Sequence, residues 1–307
     1  MLEQISYRGW KNAYRISNGT VQLIVLADVG PRIIWYGFIE GENVLHEVGA
    51  DAGRTGGSEF RLYGGHRLWV WPEVPRTYFP DNRALALNQH GPRVRFSAPL
   101  ESPKPGTNLQ KELEIELASA GTRVTITHRV INHDNRPTSL AVWAPTMLRT
   151  GGRAILPLPP RAAMDQDHFQ SVGPMTLWSF TDLADPRWRF GTEYIQLKQI
   201  AQPTGRFREQ MTGIYNPAGW GAYFCNGTLF VKRAAVIAGA SYPDFGCNFE
   251  LFTNPEFLEL ETLGPKLMLQ SGEETTHLES WELFKNVPLG EDENWIRSVV
   301  SCLVANG

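Results

Sequence analysis

The chain is poor in cysteine, has no excess of positive charge and contains no long apolar run. Cys225, Cys247 and Cys302 are odd in number, far apart and without metal-type spacing. That excludes a disulfide framework and points to reduced thiols in a cytoplasmic protein. A formal net charge of −3 leaves no basic footprint, so neither nucleic acid nor an anionic membrane is the expected partner. No stretch approaches the roughly 18 apolar residues of a membrane span. Met1 to Trp10 lacks a basic segment followed by an apolar one, so it does not read as a signal peptide. There is no His-x-x-x-His pair, no Cys/His cluster, no glycine-rich nucleotide loop and no Gly-x-Ser-x-Gly elbow. No metal and no other cofactor is therefore expected.

What the chain does have is aromatic residues and turn formers: 10 Trp, 9 Tyr, 15 Phe, 29 Gly and 21 Pro in 307 residues. Short apolar segments between frequent turns predict an all-β protein. Strands are expected over 20–26 and 32–39, joined through Gly30-Pro31. Residues 109–117 alternate, with Leu113, Ile115 and Leu117 on one face and Glu112, Glu114 and Glu116 on the other. After Ala120-Gly121, Val124, Ile126, His128 and Val130 alternate in the same way, which predicts a hairpin with one buried face. His128 on that face is expected to be a structural, hydrogen-bonded histidine. Further strands are expected over 194–200, 211–215, 221–224, 228–233, 248–252 and 275–284. Trp295, Ile296, Val299, Val300 and Leu303 form one apolar stripe after an acidic start, the mark of a short C-terminal helix. No repeat or linker breaks the chain, so residues 1–307 are expected to form a single domain. Residues 151–185 carry little regular pattern and read as a long excursion, a common carrier of function.

The segment Phe257-Leu-Glu-Leu-Glu-Thr-Leu-Gly-Pro265 points most directly to chemistry. As a strand it puts Glu259 and Glu261 on one face, roughly 7 Å apart, and Leu258 and Leu260 on the other. A carboxylate on a rigid strand is a good general base; the plainer alternative is a solvated sheet face. A second segment, Tyr63-Gly-Gly-His-Arg-Leu-Trp-Val-Trp71, runs on to Tyr78 and Phe79. Its glycines would let backbone approach a ligand closely. Its aromatics, with Arg67 and His66, offer the flat apolar surface and directional donors that a sugar needs. Glu250, Glu259, Asp244 and His66 are the one set suited to a hard cation.

Together these segments resemble the galactose mutarotase (aldose 1-epimerase) superfamily. Residues 18–35 are similar to its first meander, His66-Arg67 to its Asn-Arg dipeptide, 242–254 to the strand before the catalytic one, and Leu260-Glu-Thr262 to the strand that carries its base. The resemblance implies a β-supersandwich of large antiparallel sheets with a sugar cleft. It implies Glu261 as base, Arg67 as the sugar-holding arginine and Glu250 near a polar position facing the cleft. Trp69, Trp71, Tyr78 and Glu259 would complete the substrate site. The family's histidine after the turn matched to 133–137 is missing, because that stretch reads Ala141-Val-Trp-Ala-Pro-Thr146. His66 is the expected replacement acid, although adjacent residues on a strand point to opposite faces unless a bulge re-aims one.

The expected function is aldose 1-epimerase-like interconversion of sugar anomers. The alternatives are a non-catalytic carbohydrate-binding or sensing protein with the same cleft, and an accessory to glycoside cleavage. The expected partner is a small-molecule sugar or oligosaccharide, and the expected assembly a monomer or homodimer.

Overall fold

The computed structural model describes residues 1–101 and 108–306. Among them, the strands form two large antiparallel sheets, of 12 and 10 strands. The first runs from an N-terminal meander, Leu2–Tyr7 through Arg32–Phe38, to His66–Arg67, Thr138–Leu148, Leu258–Leu263, Phe249–Thr253, Gln210–Ile214 and Met175–Leu177. Trp69–Trp71 and Leu267–Leu269 also pair with Thr138–Leu148. The second sheet is centred on Thr228–Ala234, Glu274–Phe284, Val124–Asn132 and Leu109–Leu117. Apolar faces of both sheets meet in one large core that includes Leu113, Ile115, Ile126, Leu258, Leu260 and Trp281. Each fully buried Leu there is worth roughly 1.5–3 kcal/mol.

The expected hairpin forms with Val124 opposite Leu117 and Ile126 opposite Ile115. The helix also forms: Asp292 caps it by accepting from the Trp295 N–H, and Ile296 and Val300 bury against Ile155, Phe224 and Val231. It widens to a π turn over Ile296–Val300 before continuing as Ser301–Asn306. The excursion is more ordered than its pattern implies. It opens with a core strand, Arg153–Pro157, and returns to the first sheet at Met175–Leu177. No helix among the described residues is long and apolar enough to cross a membrane.

Between the sheets, the core holds a polar network. Lys232 Nζ lies 2.9 Å from Glu279 Oε1 and donates to Thr146 Oγ1 and the carbonyls of Ala144 and Leu260. Trp281 Nε1 donates to Glu279 at 2.8 Å. His66, His128 and His277 complete the network, and their partners define their tautomers. His128 Nδ1 donates to the His277 carbonyl, so its Nε2 accepts from His66 Nε2 at 2.7 Å. His66 Nδ1 then accepts from Thr146 Oγ1, and His277 Nε2 donates to Thr262, which itself donates to Glu279. All three rings are neutral. Burial pushes His66 well below its usual range, and His128 and His277 down to about 3. His66, His128 and Glu279 bring potential ligand atoms within 4.8 Å of one another. Yet the two ring nitrogens sit at hydrogen-bond distance, closer than the roughly 3.3 Å between two nitrogens on one tetrahedral zinc, and the Lys232 ammonium already holds the carboxylate.

Removing one member of a buried ion pair strands the other. Lys232→Met is therefore expected to cost about 3–5 kcal/mol in urea unfolding. The double variant Lys232→Met/Glu279→Gln is expected to recover a large part of that loss; a double variant as unstable as the single one would show that packing, not charge, sets the cost.

Candidate functional site

The outer face of the first sheet builds a cleft of roughly 330 Å³. Strand alternation supplies its residues. Leu258, Leu260 and Thr262 turn inward, so Glu259 and Glu261 turn outward. An Asx turn sets the register: Asn254 Oδ1 accepts from the N–H groups of Glu256 and Phe257, and the hairpin that follows places Glu250 opposite Glu261 and Phe252 opposite Glu259. Met211 lies one strand further, opposite Phe252. On the other side, Trp69 pairs with Trp143 edge to face, with ring centroids 5.0 Å apart. Tyr78 and Phe60 pack around Trp69.

The charged groups are few and closely held. Arg67, 2% exposed, donates from Nη2 to Glu259 Oε1 at 2.8 Å and lies 3.9 Å over the Trp69 ring. Its Nε and Nη1 are buried without a protein partner. Trp143 Nε1 donates to Glu261. Burial first, and the neighbouring Glu259 second, push the Glu261 carboxyl up to about 8, against the opposing pull of Trp143, Arg67 and Lys232. Glu250 is 1% exposed, and its Oε1 has no partner. Burial first, then the charges of Glu261 and Asp244, raise its carboxyl well above the usual carboxylate range. Tyr78 hydrogen-bonds Glu73, and burial pushes its phenol up.

Glu259, Glu261, Arg67, Trp69 and Tyr78 thus share one cleft. Three expected members stand apart. His66 is not in the cleft: it is fully buried between the sheets, bonded to Thr146 and His128. The chain has no bulge there to re-aim it, so the pleat sends His66 inward and Arg67 outward. Trp71 lies beside the cleft, donating to Asp244 at 3.1 Å. Glu250 shares the face of Glu261 but is buried and does not line the cavity. Nor can His66 join Glu250, Glu259 and Asp244 around a cation from the opposite side of the sheet. Gly64 and Gly65 serve the fold rather than a ligand: a Cβ on them would meet the carbonyls of His46 and Ile33 at 2.3 and 2.2 Å. Sequence reasoning missed Trp178 and Phe180 on the excursion, and Phe252, Met211 and Glu73, all of which line the cleft. The aromatic pair inside an otherwise patternless stretch was the available signal for the first two.

No family model and no curated protein match the chain. Solved structures do. A galactose mutarotase-like protein from Lactobacillus casei superposes with a TM-score of 0.57 at 9% identity, covering 89% of this chain and 100% of the other. The chain has the galactose mutarotase-like fold. A galactose mutarotase related enzyme from Lactobacillus acidophilus gives a TM-score of 0.54 at 9% identity, over 91% of this chain and 100% of that one. A TPR-domain containing protein from Parabacteroides distasonis matches at 0.57 and 15% identity over 91% of this chain, which spans only 48% of that longer protein. At such identities the likeness concerns the fold alone.

Glu261 has a pH signature. Its folded pKa of about 8 lies above the ordinary 4.5, so the folded chain holds more protons than the unfolded one between those values. Stability is therefore expected to fall as pH rises through that window, by up to about 1.4 kcal/mol per pH unit from this group. Urea unfolding of Glu261→Gln is expected to show a flatter profile from pH 5 to 8; an unchanged slope would place the Glu261 pKa elsewhere.

Proposed function

We propose that this protein binds a carbohydrate in the cleft on the outer face of the first sheet. The observation that supports this reading is Arg67 on the wall of an aromatic cleft: a buried guanidinium on an aromatic ring, with one nitrogen on Glu259 and two further nitrogens buried without a partner. A buried charged donor left unpaired is costly. Sugar hydroxyls satisfy it, while Trp69, Trp143 and Trp178 offer flat surfaces to the C–H face of a ring. The lining is mixed, as a sugar requires: mostly apolar with a few converging polar groups.

Isothermal calorimetry against a panel of hexoses and short oligosaccharides tests this reading. Arg67→Lys keeps the charge but loses the planar fork. It is expected to weaken binding by about tenfold or more, since hydrogen bonds to charged groups are worth about 1.5–3 kcal/mol each. A full panel without binding would end the carbohydrate reading.

A second reading, interconversion of anomers at the same site, is favoured by the Glu261 carboxyl, whose pKa near 8 suits proton exchange close to neutrality. His66 has no part in it. The stretch 141–146, matched to one where the resembling family carries a histidine, has none; Trp143 from it meets Glu261, and its indole donates a hydrogen bond but does not exchange a proton at neutral pH. With Glu261 as base, acceleration of mutarotation is expected to rise with pH through about 8 and to vanish in Glu261→Gln. Polarimetry on pure α-anomers measures both; rates equal to buffer at every pH would leave binding alone.

A further inference from the structure

Charge in the cleft is one-sided. Three carboxyls line it, those of Glu73, Glu259 and Glu261, against the single guanidinium of Arg67. That guanidinium is already committed to Glu259 at 2.8 Å. Other cations around it are engaged elsewhere: Arg32, across the strand from Arg67, with Asp81, Lys232 on the inner side of the sheet with Glu279, and Lys266 over the ring of Trp71. Behind the floor, Glu250 adds a fourth carboxyl, buried and with Oε1 unpartnered, directly across from Glu261. Around these carboxyls stand the rings of Trp143, Trp178, Phe180, Phe252 and Phe257. Aromatic walls around carboxylates are the arrangement that holds ammonium groups, because ring quadrupoles and carboxylate charge both favour a cation.

A neutral sugar leaves this excess of carboxyl groups unused. Burial and neighbouring carboxyls, Glu259 for Glu261 and Glu261 for Glu250, raise both groups above the usual carboxylate range. A bound cation would offset that shift.

We infer that the sugar recognised by this cleft is an amino sugar, bearing a free ammonium group on the Glu261 side and presenting hydroxyls to Arg67. The inference rests on the carbohydrate reading of the cleft and narrows it to a charge class. The hydroxyl oxygens accept from the guanidinium, and the ammonium donates to carboxylate, so the two ends of the site select opposite features of one small ring.

The test is calorimetric titration of the whole protein with matched sugars: glucosamine and galactosamine, their N-acetyl derivatives, and glucose and galactose. At low ionic strength at least one free amino sugar is expected to bind about tenfold or more tightly than both its neutral and its N-acetylated counterparts. Added salt is expected to reduce that preference. Glu73→Gln, at the exposed rim, is expected to lower the ratio, and Glu261→Gln to bring it near one. The rim variant carries the test if the buried one does not fold. Equal or tighter binding of the neutral sugars would overturn the charge inference and leave the carbohydrate reading standing. Absence of binding by every sugar would overturn both. Choline binding as tightly as the best amino sugar would show an ammonium site with no sugar specificity and overturn the inference as well.

Discussion

The alternation of side chains across one short strand, His66–Arg67, sets the layout of the molecule. Neighbouring residues on a strand face opposite ways, so only one of this pair can reach the outer face. The inner partner is decided by the network between the sheets. Lys232 and Glu279 are buried together, and Thr146, His128 and His66 link them to both sheets through hydrogen bonds. His66 has a satisfied place there, with both ring nitrogens used. Arg67 is thereby turned outward onto Trp69 and Glu259. A buried network of this kind is costly when half-satisfied and specifying when complete. Here the bonds of one partner determine where the other partner points, and hence which charged group the cleft receives.

The cleft then follows from cross-strand geometry. Glu261 and Glu259 come from one strand, Phe252 from its hairpin partner, and Trp143 and Trp69 from the two strands on the other side. Rings of this size exclude water from the carboxyls beneath them. Exclusion of water raises the cost of ionisation, and the adjacent carboxyls raise it again. One environment thereby makes an aromatic surface, a guanidinium with unpartnered nitrogens and, at Glu261 and Glu250, carboxyls raised above their usual range. Trp143 occupies a place of consequence. It supplies Glu261 with a hydrogen bond, and its indole does not exchange a proton at neutral pH.

Much of this was legible in the chain. Alternation predicted the outward pair Glu259 and Glu261, the 109–132 hairpin, the inward-facing His128 and the C-terminal helix, because burial of one face imprints a period on the sequence. The likeness to the mutarotase superfamily correctly anticipated the fold, which solved structures of under 16% identity share. Residues brought in from the excursion were not legible. Trp178 and Phe180 belong to no periodic pattern, and their place depends on where a loop returns to the sheet. Gly64 and Gly65 suggested close approach to a ligand, but it is the carbonyls of His46 and Ile33 that come close to them.

By itself, then, the sequence determined the all-β architecture, the strand faces and the residue types available to the cleft, since each follows from local period and composition. Tertiary structure alone decided that His66 faces the core, that two buried nitrogens of Arg67 have no partner, and that Glu261 stands among aromatic walls with a carboxyl raised to about 8. Those outcomes depend on partners far away in the chain, and desolvation is a property of the assembled surroundings, not of any segment.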